Sequence, residues 1–416
     1  MTADRNEQTG KGTSDNGADV RSGVLGTGPF VPRTPWWHRW HWRRLMRGRL
    51  RPALAAGLAG VLLGGTAVAW QTDAGPFAGA RRACWSALDS ADVAALFGGS
   101  EDIGSESVGS EDVGSEDIDS VDTPLDSDPI GSEGPSGQCV LRSSSGNRVT
   151  VQVHKLDTRF GGAGGQWADE FLSARLTPLG GGLLGMASDT RAWLAVPDGC
   201  AGRSRTGDGP LVIDVATGWT VYDDVVDGTE RDRLARTVVK LVNHYMAGQG
   251  CEGTLADPVP RLPRPTRFLD EQPDAFCGIK GLRTSGKEWT AAYRPMVTRG
   301  PGPVRTCDRD VSFDHPALRL MTIEDPRLAV LYHRQALQDG RRIESADPED
   351  GHGFYHPGFA LFQADCQTGE VTFLARADDA SHAYIIRDLF PRYVTKEAAR
   401  LGCGPLHITL PPDPAR

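Results

Sequence analysis

Cysteines, histidines and clustered carboxylates are the side chains of this 416-residue chain that could do chemistry. The eight cysteines are Cys84, Cys139, Cys200, Cys251, Cys277, Cys307, Cys366 and Cys403. A zinc site draws on close pairs such as Cys-x2-Cys, and no two cysteines here are that near. An even number, all placed after one long apolar run, points instead to disulfides in an oxidising compartment. The densest histidine motif is EDGHGFYHPG, with Asp350, His352 and His356. Two histidines four apart could ligate a metal from one face of a helix. Gly351, Gly353, Pro357 and Gly358 oppose a helix, so the motif reads as a polar loop. Asp308, Asp310, Asp314 and His315 follow Cys307 and read as a polar turn beside a disulfide.

Other motifs fail on their spacing. G-x-S-x-G and H-E-x-x-H are both absent. TGKGTS near the start has Arg5 where a phosphate loop needs its first glycine. The reading is therefore no catalytic residue, no cofactor and no metal ligand, with disulfides as the chemistry of the eight cysteines.

The element that must place all of this is Pro52–Trp70, PALAAGLAGVLLGGTAVAW. It carries no charge and is 19 residues long, enough for a helix to cross a hydrocarbon core of about 30 Å. Residues 36–51 just before it hold four Trp and six Arg and no acid. Arginine marks the cytoplasmic side and tryptophan the headgroup level. The sequence thus predicts a cytoplasmic tail over 1–35, a basic Trp-rich juxtamembrane segment over 36–51, a transmembrane helix over 52–70, and everything later outside. A cleaved signal peptide is the alternative, since GTAVAW offers small residues. Such peptides have a shorter core, about 7–15 residues, close to the start of the chain.

Charge follows the same division. Residues 1–51 sum to 10 − 4 = +6 and the remainder to −15, within a total of −9. Residues 99–134 contribute 12 acids and no Lys or Arg, built on the repeat GSEDI–GSESV–GSEDV–GSEDI. Such a run repels itself and is expected to stay disordered. It lacks the EF-hand pattern and the nine-residue period of calcium-binding repeats. No basic surface suggests nucleic acid.

The outside part reads as α+β. A first domain over 74–251 opens with a helix capped by Asp89 or Ser90 and stopped by Gly98 and Gly99. A hairpin follows with Gly146 at its turn, then a short helix near Gln166–Ser173. Strands are predicted at Arg191–Val196, Leu211–Val215 and Trp219–Tyr222, and a long helix at Thr229–Ala247. A Pro-rich linker spans 252–274. A second domain over 275–411 is predicted to hold strands at Glu288–Tyr293, Ala317–Ile323, Leu328–His333, Phe359–Gln363 and Glu370–Arg376. Its last helix, Ser381–Leu401, should kink or split at Pro391.

The two domains read as copies. Each gives strand, Cys, strand, long helix, Gly-Cys, ending at Cys251 and at Cys403. In each, packing the helix on its sheet brings the third and fourth cysteines together. That predicts Cys200–Cys251 and Cys366–Cys403, and leaves Cys84–Cys139 and Cys277–Cys307.

Cys84 followed by SALDSADVAALFGG, with Cys139 opening a Val-alternating strand, resembles secreted and lipoprotein domains of unknown function from actinobacteria. The resemblance covers residues 83–154 and implies a small α+β fold on the outside of the membrane. This chain departs by carrying an apolar span in place of a lipidated cysteine, and by its acidic insert. The resemblance implies no catalytic residue. The functional expectation is a membrane-anchored extracytoplasmic binding, interaction or sensor protein without catalysis, whose partners are the membrane and an unknown extracytoplasmic protein or envelope ligand. The alternative is a cell-envelope hydrolase.

Overall fold

The computed structural model describes residues 82–98, 118–125, 136–156, 166–201, 209–218, 228–263, 267–268, 274–283, 295–311, 316–337, 341–378 and 383–412. The predicted tail, juxtamembrane segment and span lie outside these residues, as do the strands expected at Trp219–Tyr222 and Glu288–Tyr293. No described helix is long and apolar enough to cross a membrane. The fold is α+β, with antiparallel sheets and four disulfides.

Helix α1 (Ser90–Phe97) starts where Asp89 and Asp92 cap each other's backbone N–H. Strands β1 (Asp119–Asp122), β2 (Gly137–Arg142) and β3 (Arg148–Lys155) follow. Strand β1 corrects the expectation of disorder at 119–122 only; residues 99–117, which hold most of the acidic repeat, and 126–134 lie outside the described residues. Its four residues pair with β2, and Trp85 N–H and Nε1–H bind the Asp122 carboxylate and the Thr123 carbonyl at 2.8 Å each. Next come α2 (Gln166–Phe171), β4 (Thr177–Pro178), β5 (Gly185–Ala187), β6 (Arg191–Ala195), α3 (Asp198–Ala201), β7 (Leu211–Ala216) and α4 (Gly228–Gly248). Among the described residues these strands form one sheet in the order β1-β2-β3-β7-β6-β5-β4.

Alternation decides which face is buried against what. Val149, Val151, Val153, Ala192, Leu194, Ile213 and Val215 turn to α4, which answers with Leu234, Val238, Leu241 and Val242. The chain after α4 stays on this core: Leu262 is buried, and its carbonyl accepts from Arg231 at 3.0 Å.

The second half holds β8 (Arg267–Phe268), β9 (Met296–Val297), β10 (Val304–Val311), β11 (Pro316–Ile323), α5 (Pro326–Ala329), α6 (His333–Ala336), β12 (Arg341–Arg342), β13 (Glu344–Ser345), β14 (His352–His356), β15 (Phe359–Cys366), β16 (Gly369–Ala377), α7 (Ala383–Leu401) and β17 (Ile408–Thr409). Its main sheet runs β12-β14-β15-β16-β11-β10-β9-β8. Phe362, Phe373, Leu320 and Leu318 face α7, which buries Ile386, Leu389, Phe390 and Val394.

Two expectations fail here, and the split allowed at Pro391 is absent. Leu328–His333 is helical, because Asp325 caps the backbone at Arg327 and Pro326 takes the first helical position. Asp308 lies in β10, not in a turn. Pro391 does not split α7; side chains bond carbonyls next to it, Thr395 to the Pro391 carbonyl at 3.1 Å and Arg392 to that of Asp388 at 3.0 Å.

The far faces of both sheets share a third core. Trp167, Phe171, Trp193 and Val212 meet Met321, Ile323, Leu331, Tyr332 and Leu361 there. Residues 79–416 consequently make one compact unit.

Candidate functional site

All eight cysteines are paired, as Cys84–Cys139, Cys200–Cys251, Cys277–Cys307 and Cys366–Cys403. These are the pairs that the order of strands and helices predicts. The Cα atoms stand 5.2, 5.6, 5.8 and 4.2 Å apart, within reach of a bridge. Cys84, Asp122 and Cys139 bring three donor groups within 4.8 Å of one another. Both thiols of that group are spent in a disulfide, so it offers a metal only a carboxylate.

The structure separates the residues of EDGHGFYHPG. Asp350 accepts from Ser345 at 3.0 Å. His356 is exposed and stands 2.8 Å from the Pro357 carbonyl. His352 instead meets His333, ring to ring at 5.6 Å. The segment is strand β14 because Phe354 and Tyr355 pair with β15, and Tyr355 is buried in the second core. Asp314 and His315 lie outside the described residues.

Asp308 belongs to a charged network between the halves. It is fully buried and accepts from Arg319 Nε at 2.6 Å, Arg319 Nη2 at 3.0 Å and the Ala174 N–H at 2.8 Å. Arg319 reaches Asp169 on α2 as well. The Thr306 hydroxyl adds a bond to the Leu172 carbonyl at 2.6 Å. Two carboxylates and one guanidinium, all buried, fix α2 of the first half against β10 and β11 of the second. This network is buried apart from Arg376, which stands 3.7 Å from Asp169, and it joins the two halves.

The accessible candidate is a groove of about 660 Å³ on the far face of the first sheet. Cys139, Leu141 and the three valines of β3 turn to α4, so the intervening Gln138, Gln152 and His154 turn away from it. Gln138, Gln152, His154, Thr123 and Ser136 line the groove. Thr123 fixes one wall: its hydroxyl donates to the Gln138 carbonyl at 2.9 Å and accepts from the Gln138 N–H at 2.8 Å. The imidazole of His154 packs edge-on to Phe171, centroids 5.9 Å apart.

Behind His154 sits Asp214, bound by Arg191, which also takes Glu170 at 3.1 Å. Burial raises the Asp214 pKa, and Arg191 opposes that shift. Burial lowers the His154 pKa, and Asp214 opposes it.

No family model, curated protein or solved structure matches the chain. Ser136, His154 and Asp214 are the residue types of a Ser-His-Asp triad. In a triad the carboxylate receives the Nδ1 proton and orients the base. Here His154 Nδ1 lies 2.9 Å from the Lys155 carbonyl, which can only accept. The Asp214 carboxylate is held by Arg191 instead. What remains is a polar wall whose free hydrogen-bonding groups are the side chains of Gln138, Gln152 and Ser136, since Thr123 is committed to Gln138 and both ring nitrogens of His154 are turned inward. Nothing local in the sequence marks it, because its residues are ordinary polar side chains on β2 and β3 and on the segments flanking β1 and β2.

Proposed function

We propose that the protein is a membrane-anchored extracytoplasmic binding module without catalysis of its own, its N-terminus cytoplasmic and its groove open to an envelope ligand or partner protein. The observation that carries the reading is the pairing of all eight cysteines, which suits an oxidising compartment. The basic, Trp-rich segment before the 19-residue apolar run supports the anchor and its orientation. We further read the two halves as duplicated, similarly stapled domains, since β2-β3-β7-β6-β5-β4 and β10-β11-β16-β15-β14-β12 stand in one order.

A second reading, a cell-envelope hydrolase, is favoured by one observation: Ser136 and His154 share the groove. One experiment separates the two. Cells expressing the full chain, with alkaline phosphatase fused after residue 80 or after residue 30, report topology; activity from the residue-80 fusion alone is expected. The same intact cells are treated with a fluorophosphonate, which labels activated serines. No labelling is expected. Labelling that disappears in Ser136→Ala would replace binding by hydrolysis, and activity from the residue-30 fusion alone would reverse the topology.

A further inference from the structure

We propose that His333, His352 and Glu370 form a second site, one that binds a divalent transition metal ion such as zinc. The site is independent of the groove and lies in the other half. Sheet register places its residues. His352 on β14 faces Gln363 on β15, Gln363 faces Thr372 on β16, and Asp365 faces Glu370. Partners across a ladder share a face, and so do residues two apart along a strand. His352, Gln363, Asp365 and Glu370 therefore project on one side, the side that α5 and α6 cover. His333 opens α6 and stands over them. Its ring meets that of His352 at 87°, and its Nδ1 lies 3.8 Å from the Glu370 carboxylate.

The second observation is Gln363. This side chain is 1% exposed. Its amide N–H groups are committed to the Ala329 carbonyl at 2.8 Å, the Thr372 hydroxyl at 2.9 Å and Glu370 Oε1 at 3.3 Å. Those acceptors fix which way round the amide sits. Its oxygen is left buried without a geometrically complete hydrogen bond, and so is Nε2 of His352, directly across the ladder. A histidine that ligates a metal characteristically donates its other ring N–H to a carbonyl, which sets tautomer and ring orientation. Gln363 Oε1 is placed to be that carbonyl, an arrangement that leaves His352 Nδ1 for the ion. The same Gln363 donates to Glu370, so one buried amide steers two of the three donors.

Two imidazoles and a carboxylate suit zinc and its neighbours, with Asp365 near enough in register to supply a fourth oxygen. His333 and Glu370 are partly exposed, at 45% and 26% of their side chains. The donor atoms of His333, His352 and Glu370 do not all stand within 4.8 Å of one another, so closing on an ion requires His333 and Glu370 to change rotamer.

The test uses the full-length chain without an affinity tag, stripped with chelator and titrated with Zn²⁺ against a competing chromophoric chelator at pH 7.5. His333→Ala, His352→Ala and Glu370→Gln are each expected to weaken binding by roughly tenfold or more. His356→Ala, on the same strand but outside the cluster, should leave affinity unchanged. No Zn²⁺ binding by the wild type would overturn the proposal. So would unchanged affinity in both His333→Ala and Glu370→Gln, whose side chains are partly exposed. Binding that survives those two variants but is lost when residues 99–118 are deleted would assign the ion to the acidic repeat instead.

Discussion

In the first half, β2, β3, β7 and β6 stand side by side as β10, β11, β16 and β15 do in the second. Cys139 and Cys307 sit on matching strands, and their partners Cys84 and Cys277 both adopt left-handed backbone, φ 51° and 57°. The long helices also close alike. Gly250 and Gly402 take φ near +70°, and the N–H of the following cysteine returns to the carbonyl five residues back, at 2.9 and 3.0 Å. That is the Schellman closure, which glycine permits at little cost. On the other face of each sheet the likeness stops. The first half carries the polar groove there, the second the His333–His352 pair under α5 and α6. The helix-facing side thus holds what repeats, and the far side holds what is particular to each half and what joins them.

Breaking the joint should have the largest effect. Arg319 is 1% exposed and answers two buried carboxylates. Arg319→Met leaves Asp308 and Asp169 without it, and removing one partner of a buried pair costs about 3–5 kcal/mol. Hydrogen exchange tells whether the halves share that loss. Amides of β3 and β16 should lose protection together, because one core spans both sheets. Loss confined to β16 would mean that the halves unfold independently.

The scaffold is where the comparison can be sharpened. Cys200–Cys251 and Cys366–Cys403 occupy matching places but close loops of 51 and 37 residues. Replacing either pair by alanine should cost about 2–4 kcal/mol. In the chain-entropy view the longer loop adds only about 0.3 kcal/mol. Paired denaturant titrations check this. A gap of more than a kilocalorie would show that the two bridges act through local packing, and that their likeness is geometric only.

Why the scaffold could be read in advance and the sites could not follows from the same division. Asp89 before VAALF, Val149-x-Val151-x-Val153, and a Gly-Cys after each long helix are local signals, and each gave its element. Strand β10 was hidden because Thr306 and Asp308 point into the joint between halves, which broke the apolar alternation that marks a strand. Leu328–His333 has the apolar run of a strand, but Asp325-Pro326 starts a helix there, and the far face of the second sheet supplies its burial. The motif EDGHGFYHPG sets His352 beside Asp350 and His356 in sequence. In the fold its neighbours are His333 and Glu370, which lie 19 and 18 positions from His352 in sequence, on α6 and β16, and only the sheet register brings them near.

The smallest expected effect concerns the two segments that present Cys84 and Cys277. Cys84 leads into α1, whose cap Asp89 accepts from the Asp92 backbone N–H and from Lys240. Those contacts, the Asp92 bond first, hold the Asp89 pKa down to about 2. Cys277 lies in a short 3-10 turn, Phe276–Gly278, that has no side-chain cap. Acid should therefore loosen the first half locally and spare the second. The sign follows from the depressed pKa: the cap's contribution is complete above the unfolded carboxylate value of about 4 and is lost as pH falls through about 2. Protection of the Val93 amide, relative to its intrinsic exchange rate at each pH, should fall over that window, while protection at Ile279 should show no matching step. Asp89→Asn keeps a capping oxygen that does not titrate, so the step at Val93 should vanish. The step is expected to shrink in high salt as well, because Lys240 and Asp89 are each nearly half exposed and solvent ions screen them. If the step persists unchanged in Asp89→Asn, the acid response belongs to another carboxylate and the asymmetry between the two segments has no electrostatic origin at this cap.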